Sequence, residues 1–493
     1  MTQLNRRNIL QAFGALTATT AMPKVAFAQT AKRPDWHIGW QNPVRRQLQT
    51  ESVKLVSGAL PSDLAGTFYR NGPAIHERGG VRMTHWFDGD GMVQAFRIGG
   101  GQVSHIGRPV ETALYKQNEK AGRFTIGGFG TDVKNPFPMT GPDSANAANT
   151  SVLPVGDELW ALWEGGSAYR MDPETLETHG SKVWTKELQG MPFSAHPKVD
   201  QKGNIWNFGQ SVGMKALIIY KLSPKGDLLE AKLVKDVPPG MIHDFCITDR
   251  HLIFVANSFR AVRNGHNYLS QFDYQESAPQ RVVVLDMDDL DNRKDYDLPP
   301  GFQFHFGNAY QEASGDICFT LCKTDEDEFV SHSAKALMRG DLPEHGPTIL
   351  SEVILKTDGK ASIAPVTENL ASHDFPQFNP LFGGKAARYL YTVGNSMAGR
   401  PGETAILRHD LNTHEVQSYD YGPDCMVEEH LFIPSANPKS EDDGYLIGTT
   451  LDFKSKVTRL NVLRADRISD GPAAIFELAY ALPLGFHGAW KSA

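Results

Sequence analysis

Cysteine is scarce in this chain, and the spacing of the few that occur argues against a local disulfide. Four are present in 493 residues, at Cys246, Cys318, Cys322 and Cys425. Cys318 and Cys322 lie in ICFTLCKT, which reads as a β-strand, and four residues of strand separate two Cα atoms by about 13 Å. Bridged Cα atoms lie within about 7 Å of each other. We therefore predict buried free thiols.

Long apolar runs and helical spacing are also missing. After residue 28 no stretch is apolar over the roughly 20 residues that a membrane-spanning helix needs. Alternating stretches such as LIIYKL, HLIFVAN, RVVVLDM and RYLYTVG favour strands instead. The 46 glycines and 30 prolines are scattered, which suits many short strands and turns. Because no strict repeat is visible, these patterns predict a large all-β domain and nothing finer.

The first 28 residues have the features of an export signal. Arg6 and Arg7 precede an apolar run of small residues, and AFA at 26–28 offers a small-x-small cleavage site. The arginine pair favours twin-arginine export in the folded state, and hence a periplasmic location. A buried N-terminal helix is the alternative. We expect a signal peptide at 1–28 and a single domain at 29–493.

The charge balance is acidic and disfavours nucleic acid as a partner. The formal net charge is −8, and removal of residues 1–28 deletes Arg6, Arg7 and Lys24 but no acidic residue, which gives −11. Nucleic-acid binding needs a basic surface that neutralises phosphates. No nucleic-acid partner is therefore expected.

Four histidines stand inside short β-like runs bounded by turn residues. These are His196, His243, His305 and His487, in SAHPKVD, MIHDFCITD, FQFHFGNAY and LGFHGAW. Neutral imidazoles favour iron, copper, nickel or zinc, and four of them leave an octahedral iron two adjacent open positions. His196 precedes Pro197, which biases its backbone toward the extended region that a strand-end ligand needs. Most of the seventeen histidines are expected to be surface or loop residues, and any one of these four, taken singly, is more often a core residue with one hydrogen bond than a ligand.

Several sequence motifs accompany the histidines in a fixed order. They are FYRNGP (68–73), HWFDGDGMV (85–93), ALWEGG (161–166), DFPQFNP (374–380) and EDDGYLI (441–447). With the histidine runs they make the chain resemble the carotenoid cleavage oxygenase family from about residue 45 onward. The resemblance implies a seven-bladed β-propeller with ferrous iron on its central axis, held by the four histidines, and a cap of loops and helices over one face.

The resemblance also implies carboxylates that orient the imidazoles, as metal-bound histidines usually require. The implied pairs are Glu164 with His243, Asp374 with His305 and Glu429 with His487, and His196 is left without one. Glu428 is the alternative to Glu429 as the partner of His487. At position 374 the family usually has glutamate, whose side chain is one methylene longer than that of Asp374. For Asp374 to orient His305, either its strand must lie closer to the histidine or a water must bridge the two side chains. The alternative is that His373 and Asp374 form a plain turn.

The sequence leaves two interpretations open at each of two further sites. Thr150 matches the position where family members place a small side chain beside an open iron position, but it also reads as an ordinary strand threonine. The apolar segment from Pro136 to Met139 is a candidate for contact with a membrane surface, with a buried loop as the alternative. The glycines of RNGP and DGDG are expected to supply positive φ in turns.

The function that the resemblance implies is cleavage by dioxygen of a carbon–carbon double bond in a carotenoid or apocarotenoid, giving two carbonyl products. A tunnel lined by apolar side chains would select the bond. The nearest alternative is the same chemistry on stilbenes or phenylpropenes, whose phenol needs a tyrosine and a lysine. GRPVETALY has Pro109 where that tyrosine is expected, and Lys134 is misplaced. A non-catalytic propeller that binds a lipid is the third reading.

Overall fold

The computed structural model describes residues 33–262, 265, 267–367, 372–394 and 399–493. The expected signal peptide at 1–28 lies outside these residues. Seven antiparallel sheets follow one another around a ring, as the blades of a β-propeller. The predicted all-β, seven-bladed class is confirmed.

Blades 2 to 6 have four strands each, and their order in space follows their order in the chain. From the inner strand outward, blade 2 contains Ser151–Val155, Glu158–Leu162, Tyr169–Met171 and Thr178–Ser181; blade 3 contains Lys198–Val199, Ile205–Ser211, Ala216–Leu222 and Leu228–Val234; blade 4 contains Phe245–Ile247, His251–Ala256, Gln280–Asp286 and Arg293–Leu298; blade 5 contains Phe302–Gln311, Ile317–Thr324, Ile349–Leu355 and Ala361–Pro365; blade 6 contains His373–Gln377, Tyr389–Gly394, Ala405–Asp410 and Val416–Asp420. All four alternating stretches singled out in the sequence form strands here.

Blades 1 and 7 each combine strands from both ends of the chain, and so close the ring. Blade 1 contains Gly488–Ser492, Gly66–Arg70, Asp90–Gly99, Gln102–Pro109 and Leu48–Thr50, with Pro73–Ile75 paired to its third strand; blade 7 contains Cys425–Pro434, Gly444–Asp452, Val457–Arg464, Pro472–Glu477 and Lys54–Gly58. Pairing of Gly66–Arg70 with Gly488–Ser492 and of Lys54–Gly58 with Pro472–Glu477 ties the first strands to the last.

Apolar faces of neighbouring blades form the core. Between blades 3 and 4, for example, Phe208 packs edge-on against Phe254, with ring centroids 5.3 Å apart. The middle strand Ala216–Leu222 is buried at six of seven positions, which explains its nearly continuous apolar sequence. The four cysteines are free and buried, as predicted.

Short helices and loops connect the strands and the blades, and those that contain Trp40, Trp86, Phe329 and Met338 pack together as a cap. The α-helices are Ala113–Ala121 and Ala334–Arg339; Phe329–Ser333 is a π-helical turn, and the 3₁₀ turns are Asp35–Trp40, Trp86–Asp88, Pro142–Ala145, Leu269–Gln271, Pro380–Phe382 and Ala465–Asp470. Two strand pairs, Glu77–Arg78 with Val81–Arg82 and Phe259–Ala261 with Phe272–Tyr274, accompany them. Across the described ranges, no helix is long and apolar enough to span a membrane.

The segment from Pro136 to Met139 lies on the surface of the cap. Phe137 is 41% exposed and Met139 is 60% exposed. The alternative of a buried loop is therefore wrong. Contact of this segment with a membrane stays a prediction.

The glycines of the two turn motifs have a different role from the one predicted. Gly89 has a φ of −65°, and neither Gly72 nor Gly91 is among the residues with positive φ. A Cβ on Gly72 would lie 2.3 Å from Cα of Gly485, and one on Gly91 would lie 2.3 Å from the carbonyl oxygen of Ala148. These glycines permit close packing of chain segments, so the prediction of positive φ is wrong.

Candidate metal centre

Four blades present one histidine each to the centre of the ring. His196 and His243 come just before the inner strands of blades 3 and 4, His305 lies within that of blade 5, and His487 directly precedes that of blade 1. None of the four is more than 9% exposed. Strand ends that meet at a common axis thus bring together residues as far apart as 196 and 487 in sequence.

The spacing of the ring nitrogens fits a single ion. Nε2 of His196 lies 2.9 Å from Nε2 of His243, and the Nε2 atoms of His305 and His487 lie 3.1 Å apart. One nitrogen from each of the four rings lies within 4.8 Å of the others. Two nitrogens bound at right angles to one ion, with bonds of about 2.1 Å, would lie about 3.0 Å apart. The cluster is therefore able to hold a metal ion.

Carboxylates contact the second nitrogen of three of these rings. Nδ1 of His243 contacts Glu164, Nδ1 of His305 lies 2.7 Å from Oδ1 of Asp374, and Nδ1 of His487 lies 3.0 Å from Oε1 of Glu429. A proton on Nδ1 that is donated to a carboxylate leaves the lone pair of Nε2 directed at the centre of the cluster.

Glu428 and Glu429 have separate partners, which decides between the two candidates for His487. Glu429 accepts from the backbone N–H of Gly488 at 2.7 Å in addition to its contact with His487. The neighbouring carboxylate of Glu428 accepts from Arg70, from the hydroxyl of Thr449 and from the backbone of Gly485. Alternation along the inner strand of blade 7, together with an irregularity in its pairing, sends the two side chains to different neighbours.

The backbone is distorted next to Asp374. Phe375 has a φ of +52°, and the pairing register of this strand shifts between Asp374 and Gln377. Oδ1 of Asp374 also accepts from the N–H of Phe375 at 2.8 Å. The sequence left open whether the strand lies closer to His305 or a water bridges the two side chains. The direct 2.7 Å contact between Asp374 and His305 corresponds to the first arrangement.

Burial and neighbouring charges set the protonation of these groups. Burial, followed by the charges of His243 and His487, holds the pKa of His196 well below its ordinary value. Burial also lowers the pKa of His305, but Asp374 outweighs it and the pKa is raised; burial lowers the pKa of His487 despite Glu429. A neutral imidazole is the form that binds metal, so His196 is already in the binding form at neutral pH.

Thr150 lies at the start of blade 2, next to the cluster. It is buried, its carbonyl accepts from the backbone N–H of His487 at 3.3 Å, and its own N–H donates to Leu162 at 3.0 Å. Its hydroxyl donates to Asn149 at 3.3 Å. Thr150 thus helps to hold the segment that carries His487.

Aromatic side chains pack against the histidines. The ring of Phe304 lies 5.0 Å from His243, and the ring of Phe375 lies 4.9 Å from His305 and 5.1 Å from His487. Phe87 lies 5.9 Å from Phe304 and 5.2 Å from Phe486. The sequence predicted an apolar tunnel without naming these residues. Three of them were identifiable because they adjoin a predicted site residue: Phe304, Phe375 and Phe486.

A phenol side chain that was not singled out in the sequence also lies near the cluster. Tyr268 packs against Phe129 and Phe272, with ring centroids 5.4 and 5.0 Å apart. Burial, and then the charge of Glu164, holds the pKa of Tyr268 above its ordinary range. Lys134 is exposed and Pro109 ends a strand of blade 1, so neither of the positions weighed for phenol recognition supplies a polar side chain here.

Comparison with known proteins agrees with this geometry. The family model described as Retinal pigment epithelial membrane protein matches residues 41–492. The chain is 30% identical to the apocarotenoid-15,15'-oxygenase of Synechocystis, over 96% of this chain and 99% of that protein. It is 26% identical to resveratrol cleavage oxygenase 1 of Aspergillus fumigatus, over 92% and 94% of the two chains.

Solved structures show the same likeness. The cobalt-substituted apocarotenoid oxygenase of Synechocystis superposes with a TM-score of 0.81 at 27% identity, over 93% of this chain and 98% of that one. The match to the family model covers the strands of all seven blades, from Leu48 to Ser492. The chain therefore belongs to the Retinal pigment epithelial membrane protein family, which is the family of the carotenoid cleavage oxygenases.

Proposed function

We propose that the protein is an iron(II)-dependent dioxygenase that cleaves a carbon–carbon double bond of a carotenoid or apocarotenoid into two carbonyl products. The observation that carries the proposal is the buried cluster of four histidines, three of them held by Glu164, Asp374 and Glu429. Ferrous iron bound there would supply the redox chemistry that makes dioxygen reactive toward an alkene.

The surrounding side chains fit an apolar substrate. Phe304 and Phe375 place aromatic rings against the histidines, and Phe87 and Phe486 extend this aromatic group through contacts with Phe304 and with each other. Such faces exclude water and pack against a polyene without requiring a polar group along it. The relatives whose names include an apocarotenoid or a carotenoid support the same substrate class.

The substrate proposal predicts a preference that can be measured. A phenolic stilbene buries a hydroxyl, and an unpaired buried hydroxyl costs roughly 1 to 3 kcal/mol, which corresponds to about 5-fold to 160-fold in relative rate. The iron(II) protein should cleave a carotenoid or apocarotenal at least about tenfold faster in kcat/KM than a 4-hydroxystilbene or isoeugenol. Mass spectrometry should find label from ¹⁸O₂ in the aldehyde products. The reverse preference would contradict the proposed substrate class but would not affect the proposed metal site.

A phenolic substrate is the second candidate, because Tyr268 and the resveratrol-cleaving relative favour it. Replacement of Tyr268 by phenylalanine separates the two substrate classes. A phenol gripped by this hydroxyl would lose affinity, whereas a polyene would not. The non-catalytic reading would require that purified protein bind no stoichiometric metal.

We propose that the protein reaches the periplasm through its twin arginines, Arg6 and Arg7. Changing both to lysine should leave folded, iron-loaded precursor in the cytoplasm, because this pathway reads the arginine pair. Cell fractionation with immunoblotting measures the outcome, and a single Lys24→Arg change serves as the control. Normal periplasmic yield of the double variant would contradict the proposal.

A further inference from the structure

Asp244 is a buried carboxylate that connects three blades beside the histidine cluster. Its side chain is 3% exposed. Oδ1 accepts from Nζ of Lys198 at 2.8 Å and from the N–H of Phe245 at 2.7 Å, and Oδ2 accepts from the N–H of Phe306 at 3.1 Å. These three donors belong to the inner strands of blades 3, 4 and 5. One side chain thus joins three strands that share no ladder.

Each connection of Asp244 ends next to a histidine of the cluster. Lys198 is two residues after His196, Asp244 itself follows His243, and Phe306 follows His305. A displacement of the carboxylate therefore changes the relative positions of three of the four imidazoles. The fourth, His487, is held by Glu429 on another blade.

His196 gives Asp244 particular weight, because His196 is the imidazole that Glu164, Asp374 and Glu429 leave unsupported. Oδ1 of Asp244 lies 3.9 Å from Nδ1 of His196. That separation is too long for a hydrogen bond, but it places the Asp244–Lys198 ion pair beside the ring that the other carboxylates do not reach. Asp244 and Lys198 thus set the surroundings of the one histidine that has no direct carboxylate contact.

We propose that Asp244 is a positioning residue of the metal centre, acting through Lys198 and the backbone of Phe306 to hold His196, His243 and His305 at the spacing that binds one ion. This inference rests on the proposed function of the site as a metal centre. A buried ion pair is weak grounds for stability alone, since apolar replacements often serve as well. We therefore assign to the Asp244–Lys198 pair a role in fixing the relative positions of blades 3, 4 and 5.

The test is metal affinity, measured independently of turnover. Titration of metal-free protein with Co²⁺, followed by absorption and by competition with a chelator, should give about tenfold weaker binding for Asp244→Asn, at the low end of the usual cost of losing a carboxylate that orients ligands. The cobalt bands of the variant should also shift, because the ligand spacing changes. Loss of fold alone would not shift the bands of the molecules that remain folded.

A matched control exists in the same blade. Asp286 is a buried carboxylate of blade 4 that pairs with Arg250 at 2.7 Å. Asp286→Asn should lower Tm without changing cobalt affinity or spectrum. Equal affinities of wild type and Asp244→Asn, or an equal loss in Asp286→Asn, would overturn the inference. Failure of the wild type itself to bind Co²⁺ would instead overturn the proposed metal site.

Lys198→Met keeps the test decisive if Asp244→Asn does not fold. The methionine retains much of the aliphatic side chain and removes the ammonium that holds Oδ1 of Asp244. It should weaken Co²⁺ binding in the same direction by a smaller factor, and it should shift the same cobalt bands. Unchanged affinity together with an unchanged spectrum would reject the role of the pair.

Discussion

Replacement of His196, His243, His305 or His487 singly by alanine is expected to abolish turnover and to reduce bound iron sharply. Three imidazoles make a weaker and more open site than four, and one nitrogen from each ring lies within 4.8 Å of the others, so each ring supplies one quarter of the ligand set. Iron per mole of purified protein and product formation measure the two effects.

The matched control for these variants is another buried histidine. His105 lies in blade 1, with Nε2 3.0 Å from Gln94 and Nδ1 3.0 Å from the hydroxyl of Tyr480. His105→Ala should lower Tm, because it leaves buried polar groups without partners, but it should retain iron. Any of the four cluster variants that kept full iron and a near-normal rate would remove that histidine from the site.

Asp374 gives the second large effect. Asp374→Ala should lower iron affinity about 10 to 100-fold, the usual cost of losing a carboxylate that orients a ligand. The variant also leaves Nδ1 of His305 and the N–H of Phe375 without the oxygen that both contact. Chelator competition on the purified protein measures the change in affinity.

Asp374→Glu is the conservative counterpart, and it should retain iron. The additional methylene lets the carboxylate reach His305 without an inward strand, at the expense of the contact with the N–H of Phe375. Negligible effects of both substitutions on iron affinity would show that Asp374 is only a turn residue. Glu352→Gln, at a half-buried carboxylate of blade 5, controls for loss of a charge elsewhere in the ring.

The histidines could be identified from the sequence because each lies in a short run with recognisable neighbours. The same holds for Glu164 and Glu429, which occupy motifs of the family. Cys318 and Cys322 could be placed from strand geometry alone, since the rise per residue fixes their separation. In each case a pattern within a few residues was enough to predict the role of the side chain or the distance between two side chains.

Other features depend on contacts between distant segments, and local patterns do not reveal them. Asp244 has partners 46 residues before it and 62 residues after it, at Lys198 and Phe306, and only the arrangement of the blades brings these together. Gly72 is required by the approach of Gly485, although its motif reads as an ordinary turn. The left-handed backbone of Phe375 lies beside a contact between Asp374 and His305 of another blade, which no local pattern reveals.

The closure of the ring has a consequence for the order in which the protein matures. His487 and the strand Gly488–Ser492 are the last parts of the ring along the chain, and that strand pairs with Gly66–Arg70 from the beginning. A nascent chain that has emerged only as far as blade 7 therefore carries three of the four imidazoles and has a gap where blade 1 must close. The full set of nitrogens exists only once synthesis has passed His487. An ion that needs all four nitrogens can therefore be held only after the ring has closed.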